Sequence, residues 1–271
     1  MSLPAAKSVA LLLIASALLA LACPGCGGPR HHALSVIGST SIQPFAELLA
    51  EDYQRIFPGR AVDVQGGGST AGLVAVSSGL ADIGTCSRSL KPEEAAQFKA
   101  VLIARDGLSV IVHPSNSINA LTSSQIQQLF SGQVRNWKEL GGPDRAVWPI
   151  TREEGSGTRE SFMNLVMKDR RISRRALVQE SNGTVRELVR TIPGAVGYIS
   201  LGLVDRQVKA LDIDGVTPTA ANVVAGSYHL ARPLLFVTRG DPSPQAQQFI
   251  DYVLSPQGQK TLESEGLVRA Q

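Results

Sequence analysis

Three times in this chain a short apolar run stops at glycines and hydroxyls, and a helical apolar pattern begins directly after. Leu34 to Ile37 ends in Gly38-Ser39-Thr40-Ser41, and Pro44 then opens a helix whose buried face is marked by Phe45, Leu48, Leu49, Ile56 and Phe57. Ala61 to Val64 ends in Gln65-Gly66-Gly67-Gly68-Ser69-Thr70, followed by a helical stretch to Ser78. Val147 to Ile150 leads into Thr151-Arg152-Glu153-Glu154-Gly155-Ser156-Gly157-Thr158-Arg159, and Phe162, Leu165 and Val166 follow at helical spacing. Each stretch reads as a loop between a strand and a helix start. The first N–H groups of a helix are free and lie at the positive end of its dipole. Added hydroxyls, and in the third stretch two guanidinium groups, make a donor set suited to a small tetrahedral anion. The same residues also suit plain capping, with Ser156 or Thr158 as N-cap and the arginines solvated. The recurrence of the pattern favours the anion.

Strands alternating with helices predict an α/β fold with a largely parallel sheet in each domain. Ligands in such sheets sit at the carboxyl ends of strands, against helix N-termini, where all three turns fall. Further strands are predicted at Ala81 to Arg88, Val101 to Ala104, Leu108 to Val112, Gly194 to Ile199, Val208 to Ile213 and Leu230 to Val237. Helices are predicted at Glu93 to Lys99, around Ser124 to Phe130, after Ser181-Asn182-Gly183-Thr184, and near the C-terminus through Phe249, Ile250, Val253 and Leu254. His113-Pro114-Ser115-Asn116 breaks the pattern. Residues 34–112 with 229–271 are therefore read as one lobe and 113–228 as the other.

The 271 residues are 43% hydrophobic, enough for a sizeable core in one or two domains. The N-terminus reads as a targeting segment, with Lys7 as its positive region and Val9 to Leu21 as its apolar region, too short to span a membrane. Ala20-Leu21-Ala22-Cys23 resembles a bacterial lipoprotein signal, so residues 1–22 are expected to be removed and Cys23 lipidated. Residues 23–33 then form a flexible tether rich in Gly, Pro and His. Plain cleavage with Cys23 unmodified is the alternative. Of three cysteines only Cys86 lies beyond the tether, which excludes a disulfide framework and suggests a small buried side chain. The formal charge of +3 falls to +2 without Lys7, which argues against non-specific nucleic-acid binding. The basic run Asp169 to Arg175 reads as a solvated face, or as one that attracts anions or anionic lipid. No Gly-Lys-Ser/Thr phosphate loop occurs, no strict G-x-S-x-G elbow, and no His/Cys/Asp cluster that would hold a metal.

These residues, in this order, resemble the substrate-binding lipoproteins of bacterial phosphate ABC transporters, in the shorter branch of that family. The matching segments are Gly38-Ser39-Thr40-Ser41-Ile42-Gln43-Pro44, Gly66-Gly67-Gly68-Ser69-Thr70-Ala71-Gly72, Ala81-Asp82-Ile83-Gly84 through Ser87-Arg88, Phe130-Ser131-Gly132 to Asn136-Trp137, Arg152 through Arg159, and Gly194 through Ile199. The resemblance implies a two-lobe, type II periplasmic-binding-protein architecture, with a mixed sheet in each lobe flanked by helices and phosphate held in the interlobe cleft. It implies Ser39, Thr40, Ser41, Ser69, Thr70, Ser87 and Arg88 as first-lobe ligands, and Arg152, Ser156, Gly157, Thr158, Arg159 and Asn182 as second-lobe ligands.

The expected function is extracytoplasmic binding of inorganic phosphate and delivery to a membrane permease, by a monomer without cofactor. Longer family members carry an aspartate where Ser87 aligns, and it accepts the proton of phosphate. Here Glu153, Glu154, Asp82, a carbonyl or a hydroxyl is left for that role. Binding of sulfate, molybdate or tungstate, or phosphate sensing without transport, are the alternatives. A serine hydrolase or phosphatase using Ser69 or Ser156 is the enzymatic one.

Overall fold

The structure, a computed structural model, describes residues 33–270. The leader, Cys23 and the tether up to residue 32 lie outside the described residues. Strand β1 (Leu34–Gly38) enters helix α1 (Gln43–Ile56), and β2 (Val62–Gly66) enters α2 (Ser69–Ser77). Strand β3 (Ile83–Cys86) precedes a single helical turn, α3 (Pro92–Ala95). The helix expected to reach Lys99 stops early because Lys99 already pairs with Thr238 as the start of β4 (Lys99–Val112). That strand joins the two runs read separately from the sequence. Its polar interruption, Arg105-Asp106-Gly107, stays in the ladder, with Asp106 opposite Arg232.

Next come β5 (Ala120–Leu121), α4 (Ser123–Ser131), β6 (Trp148–Arg152) and α5 (Gly157–Phe162), which widens into a π turn over Met163–Met167. They are followed by β7 (Leu177–Gln179), α6 (Asn182–Thr191), β8 (Ala195–Ser200), β9 (Lys209–Ala210), β10 (Asp212–Ile213) and α7 (Ala220–Val224). The chain returns through β11 (Ala231–Thr238), α8 (Pro244–Leu254), α9 (Pro256–Ser264) and β12 (Val268–Arg269). Among the described residues no helix is long and apolar enough to cross a membrane.

The main sheet runs β2-β1-β3-β11-β4-β8-β6-β7. Its two outer groups, β2-β1-β3 and β8-β6-β7, are parallel. The strands joining them make it mixed: β11 enters antiparallel between β3 and β4, and β4 meets β8 antiparallel. Strand β4 pairs with β11 up to Gly107 and with β8 from Leu108, so one strand serves both groups.

Two main cores follow from this division. The first buries Leu34, Val36, Phe45, Leu49 and Tyr53 with Leu234, Phe236, Phe249, Ile250 and Val253. Tyr53 meets Phe249 edge-on at 5.2 Å between ring centroids. The second buries Leu108, Val110, Phe130, Trp137, Phe162, Val166 and Tyr198. Phe162 stacks on Tyr198 at 3.9 Å between centroids. The Tyr198 hydroxyl then bonds Thr151 Oγ1 at 2.7 Å and accepts the Arg152 N–H at 3.2 Å. Packing in the second core thereby fixes the end of β6. Cys86 is free and buried, and burial pushes its thiol up.

Candidate anion-binding site

The carboxyl ends of β1, β3 and β6 converge with the start of four helices. Gly38, at φ 145°, turns the chain out of β1; a Cβ there would lie 2.4 Å from the Thr85 carbonyl oxygen, so only glycine fits. Ser39 and Ser41 follow, both buried, and the Ser41 N–H donates to Ser39 Oγ at 3.2 Å. Ser69 opens α2 and is fully buried; its Oγ accepts the Ser87 N–H at 3.1 Å and lies 3.4 Å from Ser87 Oγ. Ser156 caps α5 by accepting the Arg159 N–H, leaving Gly157 and Thr158 as the first residues of that helix. Asn182 opens α6 behind the Ser181 cap.

These groups meet across the two cores. Ser41 Oγ lies 2.7 Å from Thr158 Oγ1, and Asn182 Nδ2 donates to Ser41 Oγ at 2.8 Å. Gly157 sits so close to the first-core turns that a Cβ would be 2.2 Å from Ser69 Oγ and 2.7 Å from Ser87 Oγ. The Thr70 N–H donates to the Gly155 carbonyl at 3.0 Å, and Ser161 Oγ donates to the Ser87 carbonyl at 3.2 Å. The cores are therefore drawn together around the cluster.

Arg152, at the end of β6, is 1% exposed. Its Nε donates to Glu153 Oε2 and the Gln179 carbonyl, and its Nη2 to Glu153 Oε1, the Glu180 carbonyl and, across the cores, Thr40 Oγ1 at 3.0 Å. Its Nη1 is buried and has no partner among the described residues. A buried, unpartnered arm of a guanidinium is costly unless an acceptor completes it.

The other residues expected from the sequence are placed as follows. Arg88 is buried between Glu94, at 2.6 Å, and Glu160 of α5, at 2.7 Å, so its charge ties the two cores together. Burial works against that guanidinium, but the hydrogen bonds and charges of Glu94 and Glu160 outweigh it and hold its pKa above the ordinary value. Arg159 folds back, donating to the Arg152 carbonyl at 2.8 Å. Thr70 has an exposed side chain and takes part through its backbone. Asp82 is bonded to Ser35 N and Oγ near the start of β1, the end away from the cluster. Arg170, Arg171, Arg174 and Arg175 are exposed.

The Arg88 hydrogen bond also holds the Glu94 carboxyl below the usual range. A carboxylate depressed by folding stabilises the protein above its unfolded pKa of about 4.3, and that share is lost as pH falls through the folded value. Glu94→Gln should therefore lower the melting temperature at about pH 7 more than at about pH 3. Thermal scans across that range check it; a difference that stays constant would mean the pair does not titrate as a unit.

Sequence reasoning missed two groups, Arg232 and Asp106. Both are buried in apolar strand patterns, on β11 and β4, and form an ion pair at 2.8 Å. The available signal was a lone arginine inside the predicted strand Leu230 to Val237 and an aspartate in the short polar gap between the predicted strands Val101 to Ala104 and Leu108 to Val112. Burial raises the Asp106 carboxyl and lowers the Arg232 guanidinium relative to their ordinary values, while their mutual charge opposes both shifts.

A family model described as a PBP superfamily domain matches residues 27–257. The phosphate-binding protein PstS of Bacillus subtilis (strain 168) is 31% identical over 269 residues, spanning 93% of this chain and 89% of that protein. A crystal structure from Clostridium perfringens, assigned as a phosphate ABC transporter substrate-binding protein with bound phosphate, is 37% identical with a TM-score of 0.85, covering 88% of this chain and all of that one. An ABC-type phosphate transport receptor from Vibrio cholerae is 37% identical with a TM-score of 0.72, covering 87% of this chain and 99% of that one.

Proposed function

The chain belongs to the PstS family of phosphate-binding proteins, within the PBP superfamily, and we propose that it binds inorganic phosphate outside the cytoplasm and delivers it to an ABC-type membrane permease. The observation that carries the binding step is Arg152 Nη1, a buried cationic donor without a partner among the described residues, on a side chain that reaches Thr40 Oγ1 across the cores; the turns that converge there add the buried hydroxyls of Ser39, Ser69, Ser87 and Thr158. A phosphate oxygen completes it. The two cores act as lobes, exchanging through β4 and β11, and the anion joins donors from both. Phosphate is strongly hydrated, so burying it demands many aimed donors. Each charge-assisted hydrogen bond contributes about 1.5–3 kcal/mol, and a micromolar complex needs about 8 kcal/mol. Four or five such bonds, less the cost of closure, suffice. The closed form is the one that docks on the permease, and a lipid on Cys23 keeps the receptor beside it.

Binding without turnover is the reading the hydroxyls support. Ser156 Oγ is occupied as a helix cap, and the two described histidines lie elsewhere, His113 bonded to Ser115. A second oxyanion reading rests on the carboxylates. Glu153 is occupied by Arg152 and Asp106 by Arg232, so neither is free to take a proton from phosphate. That favours sulfate as the competing ligand.

The test is titration calorimetry on residues 33–271, which hold every described element, stripped of anion by partial unfolding and refolding. Phosphate and then sulfate are titrated at about pH 5.5 and about pH 8, on either side of the second ionisation of a phosphate group. Tight phosphate binding with sulfate silent supports the reading. Sulfate binding as tightly or tighter replaces phosphate as the ligand.

A further inference from the structure

Two buried arginines flank the site, and they differ in one respect. Among the described residues Arg152 has an arm without a partner; Arg232 has none. Arg232 Nε donates to Asp106 Oδ2 at 3.0 Å, and Nη2 donates to Asp106 Oδ2 at 2.8 Å and to Ser41 Oγ at 3.1 Å. Nη1 donates to Thr158 Oγ1 at 2.8 Å and to the Ser87 carbonyl at 3.4 Å. A guanidinium has five N–H donors, and all are occupied. Arg232 therefore has nothing left to offer an anion directly.

What it does offer is direction. A hydroxyl has one hydrogen and two acceptor positions. Ser41 Oγ accepts from Arg232 Nη2 and from Asn182 Nδ2, which fills both. The Asn182 amide cannot be reversed, because its Oδ1 accepts the Ser200 N–H at 3.2 Å. The Ser41 hydrogen must then point to Thr158 Oγ1, 2.7 Å away. Thr158 Oγ1 now accepts from Ser41 and from Arg232 Nη1, so it too is full, and its own hydrogen can only be given away. Asp106 holds the guanidinium in place, and its other oxygen is fixed by Ser200 Oγ at 2.9 Å and the Leu201 N–H at 3.2 Å.

We propose that the Asp106–Arg232 pair is a positioning device that orders the hydrogens of Ser41 and Thr158, so that Thr158 is an obligate donor and meets the anion through an oxygen that accepts, which favours an unprotonated oxygen over a protonated one. The proposal rests on the oxyanion reading above and goes beyond it, because it assigns selectivity between protonation states to residues that do not touch the ligand. A site forced to donate disfavours phosphate with two protons relative to phosphate with one. The other charged and titratable groups around the pair are Arg152, the Arg88–Glu94–Glu160 cluster, Tyr228 and Cys86. The variants below leave all of them in place.

The experiment compares Arg232→Met/Asp106→Leu with the parent chain. Replacing both members of a buried pair by apolar side chains of similar volume is tolerated far better than removing one. Phosphate affinity is measured by calorimetry at about pH 8 and about pH 5.5. The parent is expected to bind more tightly at the higher pH. The double variant is expected to bind at least tenfold more weakly at the higher pH, with the ratio between the two pH values reduced at least threefold, because freed hydroxyls can accept as well as donate. An equal loss at both pH values would reduce the pair to scaffold and overturn the proposal, as would unchanged binding. If the double variant does not fold, Arg232→Lys carries the same test: it keeps the charge, loses the fork, and should show the same narrowing. Failure of the parent chain to bind phosphate or sulfate at either pH would instead sink the oxyanion reading, a different and recognisable result.

Discussion

Arg152→Ala should weaken phosphate binding by about a hundredfold or more. The guanidinium supplies a buried cationic arm without a protein partner among the described residues, and a charge-assisted hydrogen bond contributes about 1.5–3 kcal/mol where each 1.4 kcal/mol is tenfold in affinity. It also fastens the second core to the first through Thr40 Oγ1 and tethers the carbonyls of Gln179 and Glu180, so alanine loosens the turn as well. Arg152→Lys separates the two contributions. A lysine keeps the charge but cannot hold Glu153, Thr40 and the anion at once. Its affinity should fall between the parent and the alanine variant. Calorimetry on all three, beside thermal melts to confirm folding, decides it. A loss of less than about threefold in the alanine variant would take Arg152 out of the site.

Gly157→Ala should be as damaging with a single added methyl group. Its Cβ would lie 2.2 Å from Ser69 Oγ, 2.7 Å from Ser87 Oγ and 3.0 Å from Ser69 Cβ. Rotating Ser69 away would break the Ser87 N–H bond and remove a hydroxyl from the cluster. Backing Gly157 off would separate Thr158 from Ser41. Either way phosphate loses donors from both cores, and about a hundredfold loss or more is expected. Each core keeps its own packing, so the melting temperature without ligand should change little. A fall in melting temperature with affinity intact would place the methyl group outside the closed cleft.

The α/β alternation and the donor turns were legible because they are local. A strand that ends in Gly-Ser or Gly-Gly-Gly-Ser and passes into an amphipathic helix carries its meaning within ten residues. Ser39, Ser41, Ser69, Gly157 and Thr158 were found that way, and the structure brings them together. Asn182 came only from the family resemblance. Arg88 illustrates the limit: beside Ser87 it looks free, and only the fold brings Glu94 and Glu160 to either side of it. Arg232 and Asp106 stand 126 positions apart and meet through an antiparallel register that periodicity does not reveal. The same register makes the sheet mixed, since β11 comes back from the second core and must enter in reverse between β3 and β4.

The return of β11 also sets an order on synthesis. The core begun by Leu34 and Val36 is completed only by Phe236, Phe249, Ile250, Val253 and Leu262. Until those residues have been made, the flanks of β3 and β4 that β11 covers stand open, and no local contact can close them. A nascent chain that stops short of residue 231 cannot reach this fold, and a growing one stays partly unfolded until its last forty residues emerge. If the targeting segment expected at residues 1–22 acts as an export leader, such late closure keeps the chain threadable for as long as passage through a membrane pore requires.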